Sequence, residues 1–180
     1  MKKVLMLVTN GVEEIEALSA RDVFIRAGLE VEMMNIKDEF EIVSSHQLLI
    51  KVVPFHKNYQ PFDCLYIPGG KLGVTNLDNF ILLDEVIKHF LEHQKVIASV
   101  CAGPSLLGKR GYLKDRRFTC YPGWEVGYEG IYTGAEIMED ENILTGRSMY
   151  FTNDFALLVV KKLLGEEQFL KIKNQIQGIK

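Results

Sequence analysis

A chain of 180 residues and 20.5 kDa is sized for a single domain spanning 1–180, large enough to build a core without disulfide or metal staples. Its 47% hydrophobic and 25% charged residues exclude a disordered or low-complexity chain. A net charge of −3, from 21 basic against 24 acidic residues, leaves no basic footprint, so nucleic acid is not an expected partner.

The first apolar run, Val4–Val8, follows Met1-Lys2-Lys3 and stops at Thr9-Asn10-Gly11. It is too short for a signal-peptide core or a membrane span, so it reads as a buried strand and no membrane association is expected. Glu13–Ala27 has helical length, but Asp22 and Arg26 share an arc with Ile15 and Val23; the two charges read as an i, i+4 ion pair. Val31–Ile36 is a second strand, and Glu41–Val53 reads as a strand or hairpin closed by Pro54. Cys64–Ile67 is a third buried strand, followed by the glycine-rich loop Pro68–Asn76. Ile81–His93 is a clean amphipathic helix, with Leu83, Val86, Ile87, Phe90 and Leu91 on one face. Val96–Val100 is the fourth buried strand, and a helix starts just beyond Cys101. The stretch from Arg116 to Leu144 is turn-rich and partly β, Asp154–Leu164 is a helix apolar almost all round, Gly165 caps it, and Glu166–Ile176 is a last amphipathic helix. Strands alternating with helices predict an α/β domain on a mostly parallel sheet. Ligands in such folds bind at the carboxyl ends of strands, which selects Thr9–Glu16, Pro68–Asn76 and Cys101–Pro104.

Cys101 sits at a strand-to-helix turn, where small Ala102 and Gly103 allow a sharp bend and Pro104 suits a first helical turn. Such an elbow exposes a nucleophile, and the helix end is expected to lower the thiol pKa; the competing reading is a small buried hydrophobe. Gly69 and Gly70 read as a nest of N–H groups facing Cys101, or as a tight turn. Glu13 and Glu14 suit simple dipole partners at a helix start, while Glu16 lies on another side of the helix and can face inward. Three sparse cysteines, Cys64, Cys101 and Cys120, form no disulfide framework and point to a reducing, cytoplasmic compartment. All four histidines precede Cys101. His89 and His93 are spaced i, i+4 on a polar helix face and read as solvated, so no metal is expected.

Gly11-Val12-Glu13-Glu14-Ile15-Glu16, Ile67-Pro68-Gly69-Gly70 and Val100-Cys101-Ala102-Gly103-Pro104 together resemble the ThiJ/PfpI family, in its deglycase branch, over nearly the whole chain. The resemblance implies a flavodoxin-like three-layer α/β sandwich, of the class I glutamine amidotransferase type, and a homodimer. It implies that Cys101 is an oxidation-prone nucleophile and that Glu16 is a protonated acid bonded to its sulfur. Gly69, Gly70 and Ala102 then offer backbone N–H donors. Arg26 matches an arginine near the dimer interface, His46 falls where the branch carries an arginine near the site, and both are expected, with Tyr121, to line the pocket. Tyr121 departs from the pattern, since the branch has a histidine there. Ala102 departs from the protease-type members, which carry a histidine directly after the cysteine, so peptidase activity is not expected. Gly146-Arg147-Ser148-Met149-Tyr150 is bulkier than the branch's Gly-Pro-Gly stretch. The implied function is a cofactor-free, cysteine-dependent glyoxalase or deglycase acting on small reactive aldehydes, dicarbonyls or glycated adducts. The alternative is a redox-responsive stress protein or chaperone that senses peroxide by cysteine oxidation, without turnover.

Overall fold

The computed structural model describes residues 1–179. The chain runs β1 (Lys3–Val8), α1 (Glu14–Arg26), β2 (Glu30–Asn35), β3 (Glu41–Val43), β4 (Leu49–Lys51), β5 (Val53–Pro54), β6 (Cys64–Ile67), α2 (Lys71–Asp78), α3 (Leu83–Glu92), β7 (Val96–Val100) and α4 (Pro104–Gly108). It continues through β8 (Arg117–Phe118), β9 (Ile131–Tyr132), β10 (Ile137–Asp140), β11 (Ile143–Gly146), a 3₁₀ turn (Met149–Phe151), α5 (Thr152–Leu164) and α6 (Glu166–Gln177).

Seven strands form one sheet in the order β10-β11-β7-β6-β1-β2-β5. Every pair is parallel except β10–β11. The central strands are apolar at successive positions because both faces are covered. Val4, Met6 and Val8 pack with Ala17, Phe24, Phe155 and Ile172 from α1, α5 and α6. Leu5 and Leu7 pack on the opposite face with Val74, Phe90 and Leu106 from α2, α3 and α4. The result is the expected three-layer α/β sandwich.

The mixed arc of α1 is explained by its buried residues, which are Glu16, Ala17, Ala20, Val23 and Phe24. That is a proper helical stripe, but its first position holds a carboxylic acid and Ile15 is left 45% exposed. The expected Asp22–Arg26 ion pair forms on the outside, at 2.5 Å. Two expectations need correction. Pro54 does not close the 41–53 segment but lies in β5, at the edge of the sheet, where a missing N–H costs no ladder bond. The loop after β6 becomes helix α2 from Lys71 onward, a helix hidden in the sequence by Gly69 and Gly70 before it and Gly73 within it. The expected hairpin does form, as β3–β4, in a sheet of its own. Gly165 caps α5 as expected, with φ +90° and its N–H on the Lys161 carbonyl at 2.8 Å. No helix among the described residues is long and apolar enough to cross a membrane.

Candidate active site

β1 has β2 on one side and β6 on the other, so the chain reverses its direction of winding there. A crevice opens beyond the strand ends at such a point. The segments leaving β1, β6 and β7 all meet in it.

Cys101 follows β7 directly and has φ +61°, a left-handed conformation disfavoured for any residue with a Cβ. Its N–H donates to the Gly146 carbonyl and its carbonyl accepts from the Tyr121 N–H, both at 2.9 Å. Fixed from both sides by neighbouring segments, the strained turn holds the sulfur half-buried at the head of the crevice. The expected elbow is therefore present.

Glu16 is completely buried, and burial raises its carboxyl to about 7. One oxygen, Oε2, accepts from the Gly69 N–H at 2.7 Å. The other, Oε1, has no hydrogen-bond partner among the described residues, and the Cys101 thiol lies beside the carboxyl. Tyr66 steadies the helix from below, its hydroxyl donating to the Glu16 carbonyl at 2.9 Å.

The thiol does not follow the expected downward shift. Burial pushes it up, as do the negative charge and hydrogen bonding of Glu16, while the N–H groups of Ala102 and Gly70 pull it down. The α4 helix behind it has only five residues, too few to supply much positive potential. The two acids thus oppose each other's ionisation. When Glu16 is ionised the thiol keeps its proton; when Glu16 is protonated, its repulsion vanishes and its hydroxyl can donate to sulfur.

The glycine pair is required by close approach. A Cβ on Gly69 would lie 2.6 Å from Glu16 Oε2 and 2.8 Å from Cys101 Cβ, and Gly70 has φ +95°. The two N–H groups do different work. Gly70 and Ala102 face the sulfur, but Gly69, expected as a third donor to the reacting centre, is taken by Glu16.

A cavity of about 260 Å³ opens above the sulfur, lined by Cys101, Gly70, Ala102, Glu13, Lys71, Ser45, His46, Tyr121 and Trp124. His46 arrives on the β3–β4 hairpin, tied to the β1–α1 loop by Ser45 N–H to the Val12 carbonyl at 2.8 Å. Its Nδ1 pairs with Glu14 Oε1 at 2.7 Å. Burial works against the Glu14 charge, yet hydrogen bonds from its backbone, Ser44 and His46 hold its carboxyl below the usual range. Glu13 is more than a dipole partner. It caps α1, accepting the Glu16 N–H at 2.7 Å, and burial raises its carboxyl. Ligand atoms of Glu13, Glu14 and His46 lie within 4.8 Å of one another; Glu13 Oε2 caps α1 and Glu14 Oε1 pairs with His46, while Glu14 Oε2 has no hydrogen-bond partner among the described residues.

Tyr121 lines the cavity as expected. Arg26 does not. It lies ten residues beyond Glu16 on α1, about 15 Å along the helix, exposed and paired with Asp22. The resemblance implies a pocket position for Arg26 beside Tyr121 and His46; the structure corrects this, because the helix carries it away from the cavity to the surface. Ser45, Lys71 and Trp124 escaped sequence reasoning. For Trp124 a signal exists in Tyr121-Pro122-Gly123-Trp124, a type II turn signature that sets its two ends side by side. Cys64 and Cys120 are buried and their thiols are pushed up by that burial, Cys120 to about 12.

Comparison with known proteins matches residues 2–162 to the DJ-1/PfpI family. The Parkinson disease protein 7 homolog of Danio rerio is 30% identical over 180 residues, covering 96% of this chain and 95% of the relative. The glutathione-independent glyoxalase DJR-1.2 of Caenorhabditis elegans is 26% identical, covering 91% of this chain and 89% of the relative. Among solved structures, a cysteine-to-alanine mutant of a DJ-1 superfamily protein from Salmonella typhimurium superposes with a TM-score of 0.92 at 28% identity, over 100% of both chains. The oxidised form of Toxoplasma gondii DJ-1 superposes at 0.90 and 28% identity over 98% of each.

Proposed function

The chain belongs to the DJ-1/PfpI family, and from that premise we propose that it is a cysteine-dependent glyoxalase or deglycase acting on small α-oxoaldehydes or their adducts. The observation that carries this reading is the pairing of a strained, half-buried thiol with a buried acid that titrates at about 7. An acid poised near neutrality can take and return a proton within one cycle. The relative named as a glyoxalase that needs no glutathione supports the same choice.

In the proposed sequence, Cys101 Sγ adds to the aldehyde carbon as its thiol proton passes to the Glu16 carboxylate. The N–H groups of Gly70 and Ala102 face the oxyanion that forms. Glu16 returns the proton to that oxygen, giving a hemithioacetal. Glu16 then removes the hydrogen from the same carbon and delivers a proton to the neighbouring carbon, while the hydroxyl proton moves across to the former ketone oxygen. The product is a 2-hydroxyacyl thioester. The aldehyde carbon is oxidised and its neighbour reduced, so no external redox agent is needed. Water cleaves the thioester, releasing a 2-hydroxy acid and restoring the thiol. Neither a peptide nor a cofactor enters this scheme.

Steady-state consumption of methylglyoxal, with identification of lactate, tests it. Wild type should form lactate and Cys101→Ser should not; equal rates in the two proteins would reject the reading. The raised carboxyl also favours a second reading, a peroxide sensor whose sulfur oxygens accept a hydrogen bond from protonated Glu16. Oxidation of Cys101 by mild peroxide without any lactate formation would select that alternative. In either role we propose a cytoplasmic homodimer, which light scattering of the purified protein checks.

A further inference from the structure

The glyoxalase reading leaves open which α-oxoaldehyde the site prefers, and the cavity wall opposite the glycines bears on it. Tyr121, Pro122, Gly123 and Trp124 form a tight turn, with proline second and Gly123 third at φ +91°. The Trp124 N–H closes it on the Tyr121 carbonyl at 3.0 Å. The first and last residues of such a turn are neighbours, so two aromatic side chains line the cavity together. The wall is held at both ends. The Tyr121 N–H binds the carbonyl of Cys101 itself. On the other side, the Tyr128 hydroxyl donates to the Trp124 carbonyl at 2.6 Å. The Tyr128 ring sits where any Cβ on Gly108 would collide with it. Trp124 is partly buried against the core cluster of α2, α3 and α4.

With its backbone fixed in this way and Trp124 packed on the core, the wall offers a flat apolar group a surface that needs little further ordering, although the Tyr121 ring is half-exposed. The cavity holds about nine water volumes at about 30 Å³ each. Methylglyoxal, presenting a single methyl, would leave much of that volume wet. A phenyl ring would displace the water and contact both aromatic side chains.

We infer that Tyr121 and Trp124 form an aryl-binding wall, and that the preferred substrates are α-oxoaldehydes carrying an aromatic group. This rests on the glyoxalase reading for its chemistry, although the aryl-binding wall itself does not.

Two measurements separate the claims. The first compares kcat/KM for phenylglyoxal and methylglyoxal in wild type, Trp124→Ala and Trp124→Phe. Wild type should favour phenylglyoxal, the Ala variant should lose about tenfold of that preference, and the Phe variant should keep most of it. Thermal unfolding checks that each variant folds. The second uses the fact that Trp124 is the only tryptophan. Acetophenone titrated into Cys101→Ser should quench its fluorescence along a saturable curve, and acetone should not. Saturable quenching without turnover of either aldehyde would retain the aryl site and reject the glyoxalase reading. Turnover with no saturable quenching and an unchanged preference in Trp124→Ala would retain the glyoxalase and overturn this inference.

Discussion

Replacing Glu16 by glutamine tests the central electrostatic claim through stability, independently of any substrate. The carboxyl is raised from its ordinary 4.5 to about 7 by burial. At about 1.36 kcal/mol for each pH unit, that is about 3 kcal/mol by which the folded state prefers the acid to be neutral. Between these pH values the native protein holds a proton that the unfolded chain has released, so stability falls as pH rises. The loss begins near pH 4.5, is complete above pH 7 and stays constant beyond. In Glu16→Gln the side chain never ionises. Its carbonyl can still accept from the Gly69 N–H, and its amide faces a thiol that accepts weakly. Any cost of burying that amide is the same at every pH. The difference in unfolding free energy, glutamine variant minus wild type, should therefore grow by about 3 kcal/mol from pH 4.5 to pH 8. For a chain of this size that is a relative shift of about 6–12 °C in Tm. Urea unfolding of both proteins across this range, followed by circular dichroism, is the assay. A difference that stays flat with pH, or shrinks, would refute a carboxyl titrating at about 7. The same variant should lose at least about a hundredfold in turnover, since it cannot carry a proton.

Substoichiometric iodoacetamide followed by peptide mapping should label Cys101 before Cys64 and Cys120, because the other two are buried; dominant labelling of either would contradict the exposure described. Gly69→Ala should destabilise the fold by about 1–3 kcal/mol and abolish turnover, because its Cβ falls 2.6 Å from Glu16 Oε2; an active variant of wild-type stability would show that the loop can yield. Tyr121→His should add a limb near pH 6.5 to the kcat/KM profile, and an unchanged profile would mean that this position handles no proton.

The site's position was legible in the sequence because its anchors are local. β1, β6 and β7 are short apolar runs ending in turn residues, and a cysteine after such a strand has few other uses. The choice of Glu16 over Glu13 and Glu14 comes from the family resemblance, since residues three apart on a helix share a side. What stayed hidden depends on approach in space. The stripe of α1 looked impure because an acid occupies a core position, which only the burial of Glu16 explains. The Gly69 N–H was assigned to the reacting centre, since no spacing reveals that a carboxylate reaches it first. The thiol shifts against the direction its helix start suggests for the same reason. A helix start is visible in sequence, but the charge across the crevice and the helix's short length are not. α2 was obscured by glycines placed for close packing against the β1–α1 loop.

The β3–β4 hairpin shares no strand pairing with the main sheet. Its attachment near the site runs through Gly11 N–H to Val43 O and Ser45 N–H to Val12 O, both at 2.8 Å, through Val43 N–H to Asn10 Oδ1 and His46 Nδ1 to Glu14 Oε1, both at 2.7 Å, and through the Ser45 hydroxyl. Detaching it would break those bonds and uncover Ile42 and Ile50, but leave the parallel ladder intact. Because it carries Ser45 and His46, such an excursion removes one side of the cavity while the sulfur and its acid stay in place. Amide exchange at Gly11 and Ser45 therefore reports how often the site stands open, separately from global unfolding. A ligand touching both the hairpin and the elbow would slow exchange at those two amides and leave the amides of β6 and β7 unaffected.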